Sequence, residues 1–301
     1  MDTEKSSLIS AGTSNLRGGR MNFKVLGPLF VGSDSGVQYA PTAPKPRQLL
    51  ALLTLNANQV VSTAMCVDEL WGSRPPLRAV STVQTYIMQI RRALRSIPNE
   101  SDAPDARLHT RHQGYQLVVA RDEFDLLRFM DQVFTARQHL AAENHARSAA
   151  LLRGALRSWE EPALVDIQAG PLISMHLARL HELRFNTLEQ RIESELRIGM
   201  HHELIGELLG LVKEYPAHEN LHAQLIVALH RSGRRAQALQ AYRNLRQVLV
   251  EELGLEPSVR TEALHRAVLT EDPILDLPRS QSHAPVRSLD LLDDTALSAA
   301  H

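Results

Sequence analysis

The stretch from Leu221 to Leu249 holds two helical patterns separated by a Ser-Gly turn, and it constrains the fold more than any other part of the sequence. Small residues, Ala236, Ala238 and Ala241, stand in the second pattern, where two helices must approach closely. A helix pair of this kind cannot bury its apolar faces alone, so it needs further pairs stacked against it. The sequence therefore predicts a domain of stacked helix pairs.

Helical patterns continue through most of the second half of the chain, without a convincing strand after Phe124. The loose A-x-A-L-x-x-Y pattern from Ala236 to Tyr242 resembles a tetratricopeptide (TPR) unit, which favours a small right-handed bundle or solenoid. The predicted helices cover residues 123–141, 144–158, 171–199, 202–214, 218–231, 235–253 and 258–270.

The first hundred residues after Met21 mix strand and helix patterns. Gly-Pro and GSDSG turns indicate two or three short antiparallel strands before residue 41. A leucine-rich helix then ends near 56–58, a second helix starts at Ser62 or Thr63 and stops at Gly72, and a third ends near Ser96. The segment ARLHTRHQGYQLVVA follows as a hairpin. This order predicts a winged helix-turn-helix with the hairpin as its wing.

The third helix has an apolar seam and a wet face without acidic residues. Steps of three and four predict that one side packs in the core, through Val80, Val83, Ile87, Ile90, Leu94 and Ile97. No Asp or Glu occurs between Leu77 and Pro98, which is typical of a face opposed to phosphates. Gln and Thr on this face can read base edges in the major groove. The alternative is an ordinary wet face whose arginines complement the helix dipole.

The hairpin tip and the charge distribution favour a nucleic-acid partner. Arg111 lies between two histidines at an exposed turn, which suits a narrow minor groove, although an ordinary turn is the alternative. Residues 21–120 carry ten Lys and Arg against six Asp and Glu, whereas residues 121–301 carry twenty against twenty-six. This asymmetry suggests one half that meets a polyanion and one half with another role.

Several motifs resemble a known family. PKPRQLLALL, VDELWG, VQTYIMQIRRAL and HQGYQL resemble the OmpR/PhoB-type winged-helix domain of the Streptomyces antibiotic regulatory proteins (SARPs). The run from RSGRRAQAL through EELGLEPS resembles the bacterial transcriptional activation domain of those regulators. The predicted fold class is mixed, an N-terminal α+β winged helix-turn-helix followed by a C-terminal all-α TPR-like domain. The predicted divisions are a disordered extension (1–20), the winged helix (21–120), the activation domain (121–273) and a disordered tail (274–301).

The resemblance implies a transcriptional activator of an antibiotic or other secondary-metabolite gene cluster. Such a protein binds direct heptameric repeats of double-stranded promoter DNA next to the −35 element and recruits RNA polymerase holoenzyme. A homodimer or head-to-tail pair on DNA is expected, because direct repeats lack the symmetry of a two-fold dimer. The family pattern places Gln84, Thr85, Met88 and Gln89 toward bases, Thr82, Arg91 and Arg92 near phosphates, and Arg111 in the minor groove. The full predicted DNA-binding set also includes Arg95 and Tyr115.

Other function classes find little support in the sequence. No nucleotide-binding P-loop occurs, HHE at His201–Glu203 lacks the second histidine of a zinc helix, and the lone Cys66 excludes an internal disulfide and a multi-cysteine zinc site. We therefore expect no catalytic site, cofactor or metal. No apolar run approaches the length of a membrane span, and a cytoplasmic location is expected. The remaining alternative is a TPR-like protein–protein adaptor without specific DNA binding.

Overall fold

The computed structural model of the chain describes residues 21–33, 36–96, 107–160 and 162–276. They form two compact units. The first comprises the described residues up to Phe129 together with Ser158–His181, and the second comprises Met130–Arg157 together with the described residues from Glu182 onward. The sequence predicts one boundary, at residue 120, whereas these units are each formed by two segments, because residues 158–181 belong to the first unit. The disorder predicted for 1–20 and 277–301 lies outside the described residues.

The first unit opens with a two-stranded antiparallel sheet. Strand β1 (Met21–Lys24) pairs with β2 (Phe30–Ser33), with Met21 opposite Ser33. Phe23 is fully buried and forms an isolated parallel bridge with Phe124, which begins the segment after the wing. The prediction of two or three short strands in this region is thus confirmed.

Three helices follow, namely α1 (Pro44–Leu55), α2 (Thr63–Trp71) and α3 (Ala79–Arg95). Helix α1 begins at Pro44, which has no backbone N–H. This costs no hydrogen bond, because N–H groups in the first turn of a helix have no intrahelical partner. The second is capped by Ser62, whose hydroxyl accepts the N–H of Met65 at 3.1 Å, and it ends at Gly72 with a φ of 56°. The predicted start and stop of α2 are both confirmed.

A three-stranded antiparallel sheet joins these helices to the hairpin. Its order is β3-β5-β4, and its members are β3 (Val60–Ser62), β4 (Leu108–Arg111) and β5 (Gly114–Leu117). The β3 strand was not predicted, because it has three residues and its partner lies more than fifty residues later. A Cβ added to Gly114 would lie 2.2 Å from the carbonyl oxygen of Val61, so the close approach of β3 and β5 requires glycine.

The carboxylate of Glu69, in α2, accounts for the place of segment 158–181 in the first unit. It accepts the backbone N–H groups of Gly170, Leu172 and Ile173 at 2.6–3.0 Å, and Glu69 is only 2% exposed. These N–H groups lie at the start of the helix that begins at Pro171, where they lack intrahelical partners and the helix dipole favours an anion. Two further carboxylates accept backbone N–H groups of the turn between β1 and β2. Asp125 accepts those of Val25 and Leu26, and Asp166 accepts that of Leu29.

Helices make up the rest of the described chain, apart from turns. They are α4 (Asp125–Ala141), α5 (His145–Leu156), α6 (Pro171–Arg197), α7 (His201–Glu214), α8 (Glu219–Arg231), α9 (Arg235–Val248) and α10 (Val259–Thr270). The predicted helix 235–253 differs in one respect, since its last part, Leu249–Leu253, is a π-helical turn that ends at Gly254 in the left-handed region. The predicted fold class is confirmed.

The core of the second unit is built mainly from leucine, isoleucine and alanine of α6 to α9, with Tyr242 of α9 and Val268 of α10. Ala238 is fully buried and Ala241 nearly so, as the small-residue argument predicts for closely packed helices, but the prediction was wrong for Ala236, which is exposed in the first turn of α9. The core also takes in Leu275, 7% exposed, from a 3-10 turn at Pro273–Leu275. Ordered structure thus continues past the predicted boundary at residue 273.

Candidate nucleic-acid interface

Helix α3 is held in the first unit by one apolar side. The residues on that side are at most 6% exposed and are Ala79, Val83, Ile87, Ile90 and Leu94. The prediction was wrong for Val80, which is 53% exposed, because the buried seam starts at Ala79 and steps from there to Val83. Ile97, also predicted in the seam, lies outside the described residues.

The opposite side of α3 is exposed along the whole helix and carries no acidic residue between Ala79 and Arg95. Met88, the largest apolar side chain there, is 66% exposed. The last turn carries Arg92 and Arg95, where cations also interact favourably with the helix dipole. Among the predicted contact residues, those exposed on this side are Gln84, Thr85, Met88, Gln89, Arg92 and Arg95, and Thr82 is half-buried.

The hydroxyl groups on this side already donate to the helix backbone. Thr82 donates to the carbonyl oxygen of Arg78 at 2.9 Å, and Thr85 donates to that of Ser81 at 3.1 Å. A phosphate oxygen can only accept a hydrogen bond, so Thr82 must give up its helix bond before its hydroxyl can donate to a phosphate. In the observed rotamers, both threonines offer acceptor lone pairs instead.

The half-buried side chain of Arg91 connects α3 to the hairpin. Its Nε donates to the carbonyl oxygen of Leu108 at 3.1 Å, and its Nη2 donates to the Thr110 hydroxyl at 2.8 Å. Both acceptors are in β4. The guanidinium therefore fixes the first strand of the wing against the helix. Sequence reasoning assigned Arg91 to phosphate contact and did not select its partner Thr110.

Arg111 is exposed at the hairpin tip, and two contacts hold that tip in place. Its Nε donates to the Oε1 atom of Gln116 at 2.8 Å, on the diagonal position of the neighbouring strand. Gln113, in the turn, has a φ of 73°, and its carbonyl oxygen accepts the N–H of Thr63 at 2.9 Å. The tip is thus attached to the first residue of α2. Gln116 was missed, although its diagonal register to Arg111 could have indicated it.

Tyr115 does not reach the surface formed by α3 and the hairpin tip. It is 7% exposed, and it lies at two-residue intervals from Leu117 and Val119, which are buried on the same side of the chain. Burial, the largest cause, together with the Coulombic effect of Cys66, raises the pKa of its phenol, while Arg91 and Thr63 act in the opposite direction. This burial argues against the predicted place of Tyr115 in the contact set, because its side chain packs inward.

The described residues offer neither a reactive thiol nor a cluster of metal ligands. Burial raises the pKa of the Cys66 thiol to about 12, so at neutral pH it stays protonated and a poor nucleophile. Across residues 21–33, 36–96, 107–160 and 162–276, no group of three His, Cys, Asp or Glu side chains could hold a metal ion. None of the described helices is both long and apolar enough to cross a membrane.

Comparison with known proteins agrees with this geometry. The family model described as "Transcriptional regulatory protein, C terminal" matches residues 38–117, and the one described as "Bacterial transcriptional activator domain" matches residues 124–269. The chain is 43% identical to regulatory protein DnrI of Streptomyces peucetius, over 85% of this chain and 94% of DnrI. It is 32% identical to transcriptional regulator RedD of Streptomyces coelicolor, over 91% of this chain and 77% of RedD.

A solved structure, Mycobacterium tuberculosis EmbR in complex with a low-affinity phosphopeptide, superposes with a TM-score of 0.80 at 29% identity, covering 93% of this chain and 71% of EmbR. Fold, surface and relatives together define a DNA-binding transcriptional regulator with a winged helix and a bacterial transcriptional activator domain. The chain belongs to the SARP family of transcriptional activators, whose members are regulators rather than enzymes.

Proposed function

We propose that this regulator binds direct repeats beside the −35 element of its target promoter and activates transcription by recruiting RNA polymerase holoenzyme. The targets would be genes of an antibiotic or other secondary-metabolite cluster, as family membership suggests, and the protein would act in the cytoplasm. The observation that carries the proposal is the exposed, acid-free side of α3, next to a hairpin tip that presents Arg111.

On this proposal α3 lies in the major groove, which is wide enough to admit a helix. Gln84 and Gln89 are exposed amides that can pair with adenine, and Met88 offers an apolar contact to a thymine methyl. Thr85, whose hydroxyl hydrogen is used within the helix, would accept from an amino group of adenine or cytosine. Arg92 and Arg95 would neutralise phosphates at the end of the helix.

The hairpin would supply the minor-groove contact through Arg111. Its guanidinium bond to Gln116 and the attachment of the tip to Thr63 restrict the arginine before DNA arrives. Preorganisation of this kind lowers the entropy lost on binding. Arg91, which links α3 to β4, would set the distance between the two contacts rather than bind DNA itself.

Selection of binding sites from random duplexes tests the proposal. We expect the selected sequences to contain two direct repeats whose centres lie one helical turn apart, occupied by a head-to-tail pair of protomers. Inserting about half a turn between the repeats should weaken binding, since it rotates the second site to the other side of the duplex. Selected palindromes, or no enrichment of any sequence, would contradict the proposed arrangement.

Substitution of the hairpin arginine tests its role. Arg111→Ala should weaken binding to the selected duplex by on the order of 1–3 kcal/mol, with the largest loss on sites that have a narrow A·T-rich minor groove. Gln116→Ala serves as a matched variant, because it removes the support of Arg111 but keeps its charge. An unchanged affinity of Arg111→Ala would mean that the wing does not enter the minor groove.

Recruitment of polymerase is tested by transcription with purified holoenzyme on a template that carries the selected repeats. We expect more transcript and a more stable polymerase–promoter complex when the protein is added. Stimulation that persists after the repeats are scrambled would contradict recruitment through promoter-bound protein.

A further inference from the structure

A groove of about 500 Å³ lies in the second unit. One wall is a continuous stripe on α8, formed by Asn220, Ala223, Gln224, Val227 and Arg231. The other lining residues come from the end of α6, the start of α5 and the 3-10 turn after α10. We call this site the α8 groove. Its volume falls in the range of ordinary ligand sites.

The length of the stripe limits what can occupy it. Asn220 and Arg231 are eleven residues apart, which corresponds to about 16 Å along a helix. An extended polypeptide rises about 3.3 Å per residue, so about five residues of extended chain match the stripe. A compact small molecule would cover only part of it.

The two side-chain amides of the α8 stripe offer acceptors to a ligand. The amide nitrogens of Asn220 and Gln224 already donate to the side chain and the carbonyl oxygen of Glu189, at 2.7 and 3.1 Å. Gln224 is 4% exposed, and among the described residues its Oε1 atom has no hydrogen-bond partner. An unsatisfied buried acceptor is costly, and the last torsion of glutamine is soft, so an entering N–H group can recruit this oxygen.

The charges of the groove also favour a donor. Its carboxylates belong to Glu143, Glu193 and Asp276, against two guanidinium groups. Arg197 is bonded to Glu193 at 2.8 Å, and Arg231 donates to the carbonyl oxygens of residues 196 and 275 at 2.8 and 2.7 Å. Both arginines thus bind oxygens of the groove's own walls. The imidazole of His145 also lines the groove, and among the carboxylates and guanidinium groups, three against two, one carboxylate is in excess, which favours a cationic ligand.

We propose that the α8 groove binds an extended segment of a partner protein, about five residues long, that carries an arginine or lysine between apolar residues. The backbone N–H groups of the segment donate to the amide oxygens of α8, and its cation lies near the carboxylates. The apolar side chains pack on Ala223, Val227 and Ile274. The groove is formed by residues of the second unit and the proposed promoter contacts by residues of the first, so this inference does not rest on those contacts.

Titration of the full chain with synthetic peptides tests this inference by calorimetry. The probe is acetyl-Leu-Ala-Arg-Ala-Leu-amide, and its matched control carries citrulline, which keeps the shape of arginine without its charge. We expect saturable binding of the arginine peptide with a Kd below about 1 mM and binding of the control weaker by at least about fivefold. Acetyl-arginine amide should bind more weakly than the pentapeptide.

Two variants locate the binding. Ala223→Tyr fills the groove and should abolish detectable binding, while Ala236→Tyr, on an exposed position of α9 outside the groove, should leave it unchanged. Glu143→Lys, on the exposed rim, provides a second test without a change in the wall of the groove. It should weaken the arginine peptide more than the citrulline peptide. Thermal melts of every variant check its folding.

Four results would overturn the inference. The first is that the arginine peptide shows no saturable binding at millimolar concentration, and the second is that the citrulline peptide binds as tightly as the arginine peptide. The third is that the two tyrosine variants bind the arginine peptide equally well, and the fourth is that acetyl-arginine amide binds as tightly as the pentapeptide, which would indicate a site for a small cation.

Discussion

Arginine occurs in two different surroundings in this protein. In the second unit, arginines lie opposite carboxylates: Glu195 alone accepts bonds from Arg153 and Arg191 while its side chain is 2% exposed. On α3, three arginines share a helix with no acidic residue. The number of arginines alone therefore does not indicate a nucleic-acid surface, because arginines of the second unit also bind carboxylates of neighbouring helices. The proposed DNA contact rests instead on the absence of acidic residues from the exposed side of α3.

The largest effect on stability is expected where an arginine–glutamate ion pair is buried. Glu195→Ala removes the buried carboxylate that binds both Arg153 and Arg191, so that Arg191, which is 9% exposed, keeps only its bond to Glu207. Breaking a buried pair in this way should lower the free energy of unfolding by about 3–5 kcal/mol, measured by urea denaturation. The control is Glu271→Ala, which removes an exposed partner of Arg235 and should change stability by about 1 kcal/mol or less. Equal effects of the two changes would contradict the distinction.

An acidic residue placed on α3 should remove the property that distinguishes it. Gln89→Glu places a carboxylate near the DNA phosphates. The repulsion between like charges should weaken DNA binding by about 3 kcal/mol, roughly a hundredfold. The fold should persist, because Gln89 is exposed. Gln240→Glu makes the same exchange on exposed α9 and should leave DNA affinity unchanged, measured by fluorescence anisotropy. An unaffected Gln89→Glu protein would mean that DNA binds elsewhere.

A neutral change on the same side separates base reading from charge. Gln84→Ala should reduce binding to the selected duplex by about 1–3 kcal/mol and relax base preference at one position. Its salt dependence should stay as in the parent protein, since no charge is lost. A uniform loss across all duplexes would assign Gln84 to the backbone instead.

The smallest effect is expected from a single phosphate contact. Arg92→Ala should weaken binding to all duplexes similarly and reduce the slope of log affinity against log salt by about 0.9. The measurement is a salt series on selected and scrambled duplexes. A change in base preference without a change in slope would contradict this role.

Local patterns predicted most of the fold. Helices α4 to α10 follow from apolar periodicity and turn residues, and the cap at Ser62 follows from its position before α2. The β3 strand was missed because its stability comes from pairing with β5, which lies far away in sequence. The carboxylate of Glu69 was missed for the same reason, since its partners lie about a hundred residues later.

The candidate surface was predictable to a similar degree. The polar side of α3 follows from periodicity, and the structure exposes most of the predicted residues there. The burial of Tyr115 could have been predicted, because apolar residues at two-residue intervals, Tyr115, Leu117 and Val119, indicate the buried side of a strand. Gln116 could have been found from its diagonal position to Arg111 in the predicted hairpin, whereas the role of Arg91 could not, because it depends on how α3 and β4 meet in space.

Sequence-specific DNA binding is best tested by titrating the protein onto the selected duplex and a scrambled duplex, each at two salt concentrations. We expect tighter binding to the selected duplex at both concentrations, by a factor of about a thousand or more, with affinity for both duplexes falling steeply as salt rises. Equal, weak binding to the two duplexes would contradict this expectation and would favour a protein–protein adaptor.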